Sequence, residues 1–107
     1  MKIIALDQST KKTGVAVFEN DKLLKHFLID LSNLKNEDSE KRIEKMAMKI
    51  NKIIEDENAD VVIFEDVAFQ SNAQTLIKLA RLQGFIAGYC SLKKINYYIF
   101  STQKWRC

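Results

Sequence analysis

Residues 3–20 read IIALDQSTKKTGVAVFEN. An apolar run ends on Asp7, a polar loop with one glycine follows, and a second apolar run begins at Gly14. Residues 2–6 and 14–19 predict two strands. Residues 22–30, KLLKHFLID, predict a third, and ENDK at 19–22 is a turn signal at hairpin distance. Together these runs predict an antiparallel meander. The third strand is the most polar of the three and belongs at a sheet edge. The open question is why a core strand should stop on a carboxylate.

The period changes after residue 36. Ile43, Met46, Ala47, Ile50 and Ile54 recur at helical spacing among Lys, Arg and Glu, predicting an amphipathic helix over 36–58. NEDSE at 36–40 supplies capping oxygens and negative charge for its start. DVVIFED at 60–66 reads as a buried central strand. A second helix is expected over 71–92, with Ala73, Leu76, Ile77, Ala80, Gly84 and Ala87 making a narrow, small-residue face suited to packing on a sheet or on another helix. INYYIF at 95–100 predicts a fifth strand. The expected order is β-β-β-α-β-α-β in an α/β fold, as one domain over 1–107 with no linker or repeat.

Composition sets wide bounds. A chain of 107 residues with 47% hydrophobic residues suits one small domain with its own core. Seventeen basic against fourteen acidic residues permit a nucleic-acid partner without requiring one. Cys90 and Cys107 lack metal-ligand spacing and read as free thiols in a reducing compartment. No run approaches the roughly 20 apolar residues of a membrane span, and none has the form of a signal peptide. A cytoplasmic protein with no membrane partner is expected.

Strand parity gives Asp7 a role. Ile3, Ala5 and Asp7 share one face of the first strand, and Val61, Ile63 and Glu65 share one face of the fourth. A helical crossover makes those strands parallel. If they are neighbours, Asp7 and Glu65 meet at the carboxyl edge of the sheet, where open α/β sheets bind ligands. Asp66 points to the other face. Two such carboxylates stay ionised together when a cation neutralises them, and oxygen ligands suit magnesium or manganese. The alternative is that Asp7 caps its own loop through the amides of Ser9 or Thr10 and Glu65 is an edge charge. Ser9, Lys11 and Lys12 in the loop suit phosphate oxygens, or form a plain solvated turn. Phe69, with Gln70 and Asn72 beside it and Lys78 and Arg81 beyond, suits stacking on an unpaired base; the alternative is packing under the helix start.

ALDQSTKKTGVAVFE followed by VVIFEDVAFQSNAQTLIKLARLQGFIAG resembles the RuvC-type Holliday junction resolvases of the ribonuclease H-like superfamily. YYIFSTQKWR is similar to the segment after the last strand in phage and related members. The resemblance implies a mixed five-stranded sheet of order 3-2-1-4-5 and metal-dependent hydrolysis of branched DNA at a four-way junction. It implies Asp7 and Glu65 as magnesium-binding catalytic carboxylates, an aromatic wedge close to Phe69 (one position earlier, at Ala68, in many members), and a homodimer through the helix at 71–92. The family's other catalytic carboxylates lie in a final helix. After Asp66 this sequence has no aspartate or glutamate. The expectation is therefore a chain lacking that last helix, with half an active site. Two alternatives are kept: a non-catalytic module that binds DNA or dimerises, and the phosphate-binding domain of an actin-like or sugar kinase, whose first strand–loop–strand looks similar.

Overall fold

The computed structural model describes residues 1–34, 38–65 and 73–100, with backbone alone at Glu65 and Phe100. Five strands, β1 (Lys2–Asp7), β2 (Lys12–Glu19), β3 (Lys22–Asp30), β4 (Val61–Glu65) and β5 (Asn96–Phe100), form one sheet of order β3-β2-β1-β4-β5. Helix α1 (Ser39–Asp56) joins β3 to β4, and α2 (Ala73–Leu92) precedes β5. The β1–β2 and β2–β3 pairs are antiparallel; β1–β4 and β4–β5 are parallel. The elements and sheet order agree with the sequence expectations, apart from end residues.

Local chemistry accounts for the element ends. Asn20 and Asp21 both take positive φ, 51° and 69°, as the two central residues of a tight hairpin turn must if its twist is to match the strands. The Asp38 carboxylate accepts the Glu40 N–H (3.2 Å) and caps α1. Both helices end in the same way. Asn58 (φ 51°) and Lys94 (φ 60°) turn left-handed just past the last turn. Their N–H groups donate to Glu55 and Ser91, and those of Ala59 and Ile95 donate to Ile54 and Cys90. This double bond pattern satisfies the last helical carbonyls.

Alternation divides the sheet. Ile4, Leu6, Val15, Val17, Val62 and Phe64 point to one face and are buried under α1 and α2. The Phe64 ring stacks on Tyr97 of β5 at 5.8 Å. The α1 stripe Ile43, Met46, Ala47, Ile50 and Ile54 is buried, as its spacing requires. The other sheet face carries Ile3, Ala5, Asp7 and Ile63, with no described helix over it. β3 is the edge strand; of its nine residues only Ile29 is buried.

Of the two packings open to the small-residue face of α2, the sheet is not the one used: the face turned to the core is Leu79, Leu82, Ile86 and Cys90. Ala73, Ile77, Ala80 and Gly84 are exposed, and Leu76 and Ala87 are half-buried. Leucine and isoleucine fill the gap above the sheet better than alanine and glycine, so the large residues turn inward. Cys90 is a buried free thiol, and burial pushes its pKa up to about 11. Cys107 lies outside the described residues.

Candidate functional site

β1 and β4 run side by side with Ile3, Ile4, Ala5 and Leu6 opposite Val61, Val62, Ile63 and Phe64. One step further along that register stand Asp7 and Glu65, each the last residue of its strand. Asp7 is exposed and lies across from Gly14 of β2. A Cβ at position 14 would stand 3.6 Å from the Asp7 Cβ, so the glycine leaves open space beside the carboxylate. The Glu65 side chain lies outside the described residues, and so do Asp66, Ala68, Phe69, Gln70 and Asn72. Among the described residues no group of three or more His, Cys, Asp or Glu side chains could hold a metal.

The loop after β1 is held by Thr13, not by Asp7. The Thr13 Oγ1 accepts the Ser9 N–H (3.1 Å) and donates to the Ser9 carbonyl (2.8 Å). The Ser9 Oγ accepts the Lys11 N–H at 3.3 Å. Asp7 therefore does not cap the Ser9 amide, and among the described residues its carboxylate has no hydrogen-bond or ion-pair partner. It stands exposed at the strand end.

The cations expected to meet phosphate separate into three places. Ser9, Lys11 and Lys78 line a cavity of about 470 Å³ between the β1–β2 loop and the first turns of α1 and α2, with Thr10, Thr75 and Arg42. Lys12, the first residue of β2, pairs across the ladder with Asp30. Asp30 is held below the usual carboxylate range by hydrogen bonds from the Ser32 hydroxyl and amide, with a smaller contribution from the Lys12 charge. Arg81 reaches across to Glu40 at 3.2 Å and bridges α2 to α1. Its charge is partly matched, and it lines a groove with Ile43, Gly84 and Phe85.

Arg42 is the residue that sequence reading passed over. On a helical wheel it is one more cation on a polar face. The signal that finds it is topological: both crossover helices begin at the carboxyl edge of the sheet, so a cation in the first turn of α1 stands at the edge where open α/β sheets commonly bind ligands.

A mixed five-stranded sheet of this order, with a crossover helix on either side of β4 in sequence and a carboxylate ending β1, defines a ribonuclease H-like domain. The family model described as "Crossover junction endodeoxyribonuclease RuvC" matches residues 3–105, and the chain belongs to that family. The RuvC of Aliarcobacter butzleri is 31% identical over 88 residues, covering 81% of this chain and 57% of the relative. The chain thus spans little more than half the length of such relatives. A Thermus thermophilus RuvC solved in complex with Holliday junction substrate superposes with a TM-score of 0.82 at 14% identity, covering 96% of this chain and 66% of that one. An exopolyphosphatase from Cytophaga hutchinsonii shares the fold more distantly, with a TM-score of 0.53 at 16% identity over 94% of this chain and 34% of that one. Among the described residues no helix is long and apolar enough to cross a membrane.

Proposed function

We propose that the chain is part of a metal-dependent endonuclease that cuts DNA at four-way junctions. The observation that carries this reading is the parallel β1–β4 pair, whose register brings Asp7 and Glu65 to adjacent strand ends in a chain of the RuvC family. The solved relative bound to a Holliday junction supports branched DNA as the substrate. Asp7 and Glu65 offer oxygen donors only, which fits magnesium or manganese. Bound there, such an ion supplies Lewis-acid stabilisation of the phosphodiester and lowers the pKa of an attacking water. The chain's own part is to hold negative charge at the sheet's carboxyl edge; among the described residues no donor competes for Asp7. Phe69, Gln70 and Asn72 follow Glu65 in sequence and are assigned to the DNA with Ser9, Lys11, Lys12 and Lys78, and with Arg81 where a phosphate displaces its exposed contact to Glu40.

The partner assigned to α2 is a second copy of the chain. Its outward face combines small residues at Ala80 and Gly84 with Ile77 and Phe85, which are 50% and 49% exposed. Large apolar side chains flanking a flat stripe suit close helix–helix contact, and exposed apolar surface of this kind marks an interaction face.

The test uses the 107-residue polypeptide with a labelled four-way junction and a linear duplex of the same sequence. Preferential binding of the junction is expected. Cutting is expected to be slow, because two carboxylates are few ligands for ions that each take about six oxygens. Manganese should broaden the NMR signals of Asp7 and Gly14, and Asp7→Asn should abolish both that broadening and any nicking. Equal binding to both DNAs, or manganese broadening that survives Asp7→Asn, refutes the reading.

A further inference from the structure

The β1–β2 loop has two sides. Asp7 borders the open face of the sheet, in a shallow depression shared with Ala5, Gly14 and Ala16. The other side of the loop forms one wall of the cavity of about 470 Å³ against α1 and α2. That size falls within the roughly 300–1,000 Å³ of ordinary ligand pockets.

The cavity's lining is one-sided in charge. Lys11, Arg42 and Lys78 contribute three cations, and among the described lining residues there is no carboxylate. Ser9, Thr10 and Thr75 add hydroxyls. The Ser9 Oγ accepts the Lys11 N–H, which leaves its own proton available to donate. The Nε–H of Arg42 is buried and has no acceptor among the described residues. That atom is too enclosed for a ligand in the cavity to reach, so what Arg42 brings to the lining is its positive charge. What fits is an acceptor-rich anion whose oxygens can face several donors at once. Phosphate has that form.

We propose that this cavity is a phosphate-binding pocket, with Arg42 and Lys78 as its principal cations, and that it holds a backbone phosphate of bound DNA. Only the source of the phosphate rests on the junction-cutting reading; the pocket itself rests on its lining. A DNA strand straddling the β1–β2 loop would have one phosphate at the Asp7 side and another in the pocket. The pocket would then position the strand relative to Asp7 without taking part in bond breaking.

Two arms test this. In the first, inorganic phosphate is titrated into the unaltered chain while the arginine Nε–H signals are followed by NMR. The Arg42 signal and the amides of Ser9, Thr10 and Lys11 should shift together, and Arg42→Gln should remove the amide shifts. In the second, four-way junction binding is measured across salt concentrations. Arg42→Gln and Lys78→Gln should each lower the slope of log affinity against log salt by about one, the loss of one phosphate contact. Lys49→Gln, a cation of α1 outside the cavity, should leave the slope unchanged. Far-ultraviolet circular dichroism checks the fold of each variant, and Lys78→Gln carries the second arm if Arg42→Gln unfolds.

Absence of shifts in the first arm overturns the pocket. Phosphate shifts with unchanged slopes overturn DNA as the source and assign the pocket to a free phosphate. If the unaltered chain binds no DNA, the junction-cutting reading fails, and the first arm still decides the pocket.

Discussion

Replacing Thr13 with valine isolates the clasp that shapes the site. Thr13 is fully buried, and its hydroxyl makes two hydrogen bonds to the backbone of Ser9. Valine keeps the shape and the branching, so no cavity opens. What is lost is one donor and one acceptor, leaving the Ser9 N–H and carbonyl without their partner. Each net bond contributes about 0.5–1.5 kcal/mol, and a buried group left unsatisfied costs about 1–3 kcal/mol, so Thr13→Val should cost about 2–3 kcal/mol. For a domain near 100 residues that corresponds to a fall in Tm of roughly 10–20 °C. Thr13→Ser is the control: it keeps the hydroxyl, removes one methyl and should cost only about 1 kcal/mol. Thermal melts followed by circular dichroism, with urea titrations for the free energies, give the comparison. If Thr13→Ser proves the more damaging of the two, packing rather than the hydroxyl holds the loop, and the reasoning fails. The same variants should separate in function. Loosening the loop by Thr13→Val should weaken junction binding, because Lys11 would no longer be held at the cavity wall.

Two further outcomes follow from side chains away from the loop. Lys25 and Lys2 both reach the Glu57 carboxylate, and the Lys25 hydrogen bond is the main reason its pKa is lowered from 4.5. A lowered folded-state pKa means stability that is present above about pH 4.5 and lost as pH falls through the folded value. Glu57→Gln should therefore flatten the acid limb of the stability curve, and an unchanged acid limb in urea titrations between pH 3 and 6 (a range of order set by the carboxylate pKa values) would argue that this cluster is not the source. At Gly84 an added Cβ meets nothing within 4 Å. Gly84→Ala should then stabilise the isolated chain by about 0.5–1 kcal/mol through backbone entropy. It should also weaken self-association by thickening the α2 stripe. Melts at low concentration and sedimentation at high concentration measure the two effects, and tighter self-association in the variant would remove Gly84 from the interface.

How far the fold was legible depended on how strongly each segment committed to one face. The α1 stripe from Ile43 to Ile54 stands among charges, so only one side of that helix can be buried, and the structure buries it. The strand parity of β1 and β4 was equally plain, because a two-residue period leaves only two choices for Asp7. α2 was ambiguous for a physical reason. Leu76, Ile77, Leu79, Leu82, Phe85 and Ile86 spread apolar surface around the helix. Sequence alone does not say whether the larger or the smaller side chains turn inward; the space above the sheet decides it.

The cations show the same limit from another side. Lys11 and Lys12 are adjacent and looked equivalent, yet one lies in the loop and the other opens a strand beside Asp30. Arg81 reads in sequence as an isolated cation, and the structure pairs it with Glu40 on the other helix. Arg42 stands far from the loop in sequence and meets it only when the sheet has assembled. Non-local neighbours of this kind are invisible to spacing rules, which see only one element at a time.

The parallel pairing of β1 with β4 has a consequence for the order in which the protein becomes itself. The β1–β2–β3 meander is built from near neighbours and can close early, since short loops cost little entropy. At that stage Asp7 is present without the strand beside it. Its neighbour on β4 lies beyond α1 in sequence and comes beside β1 only through long-range pairing, with the Lys2 N–H tied to the Asp60 carboxylate across 58 residues of chain. A polypeptide emerging from the ribosome, or one caught partly unfolded, therefore carries the first acidic residue but not the pair. If, as proposed, Asp7 and Glu65 together hold the metal, an incompletely folded chain would lack the site, and metal binding would itself report that the long-range fold is finished.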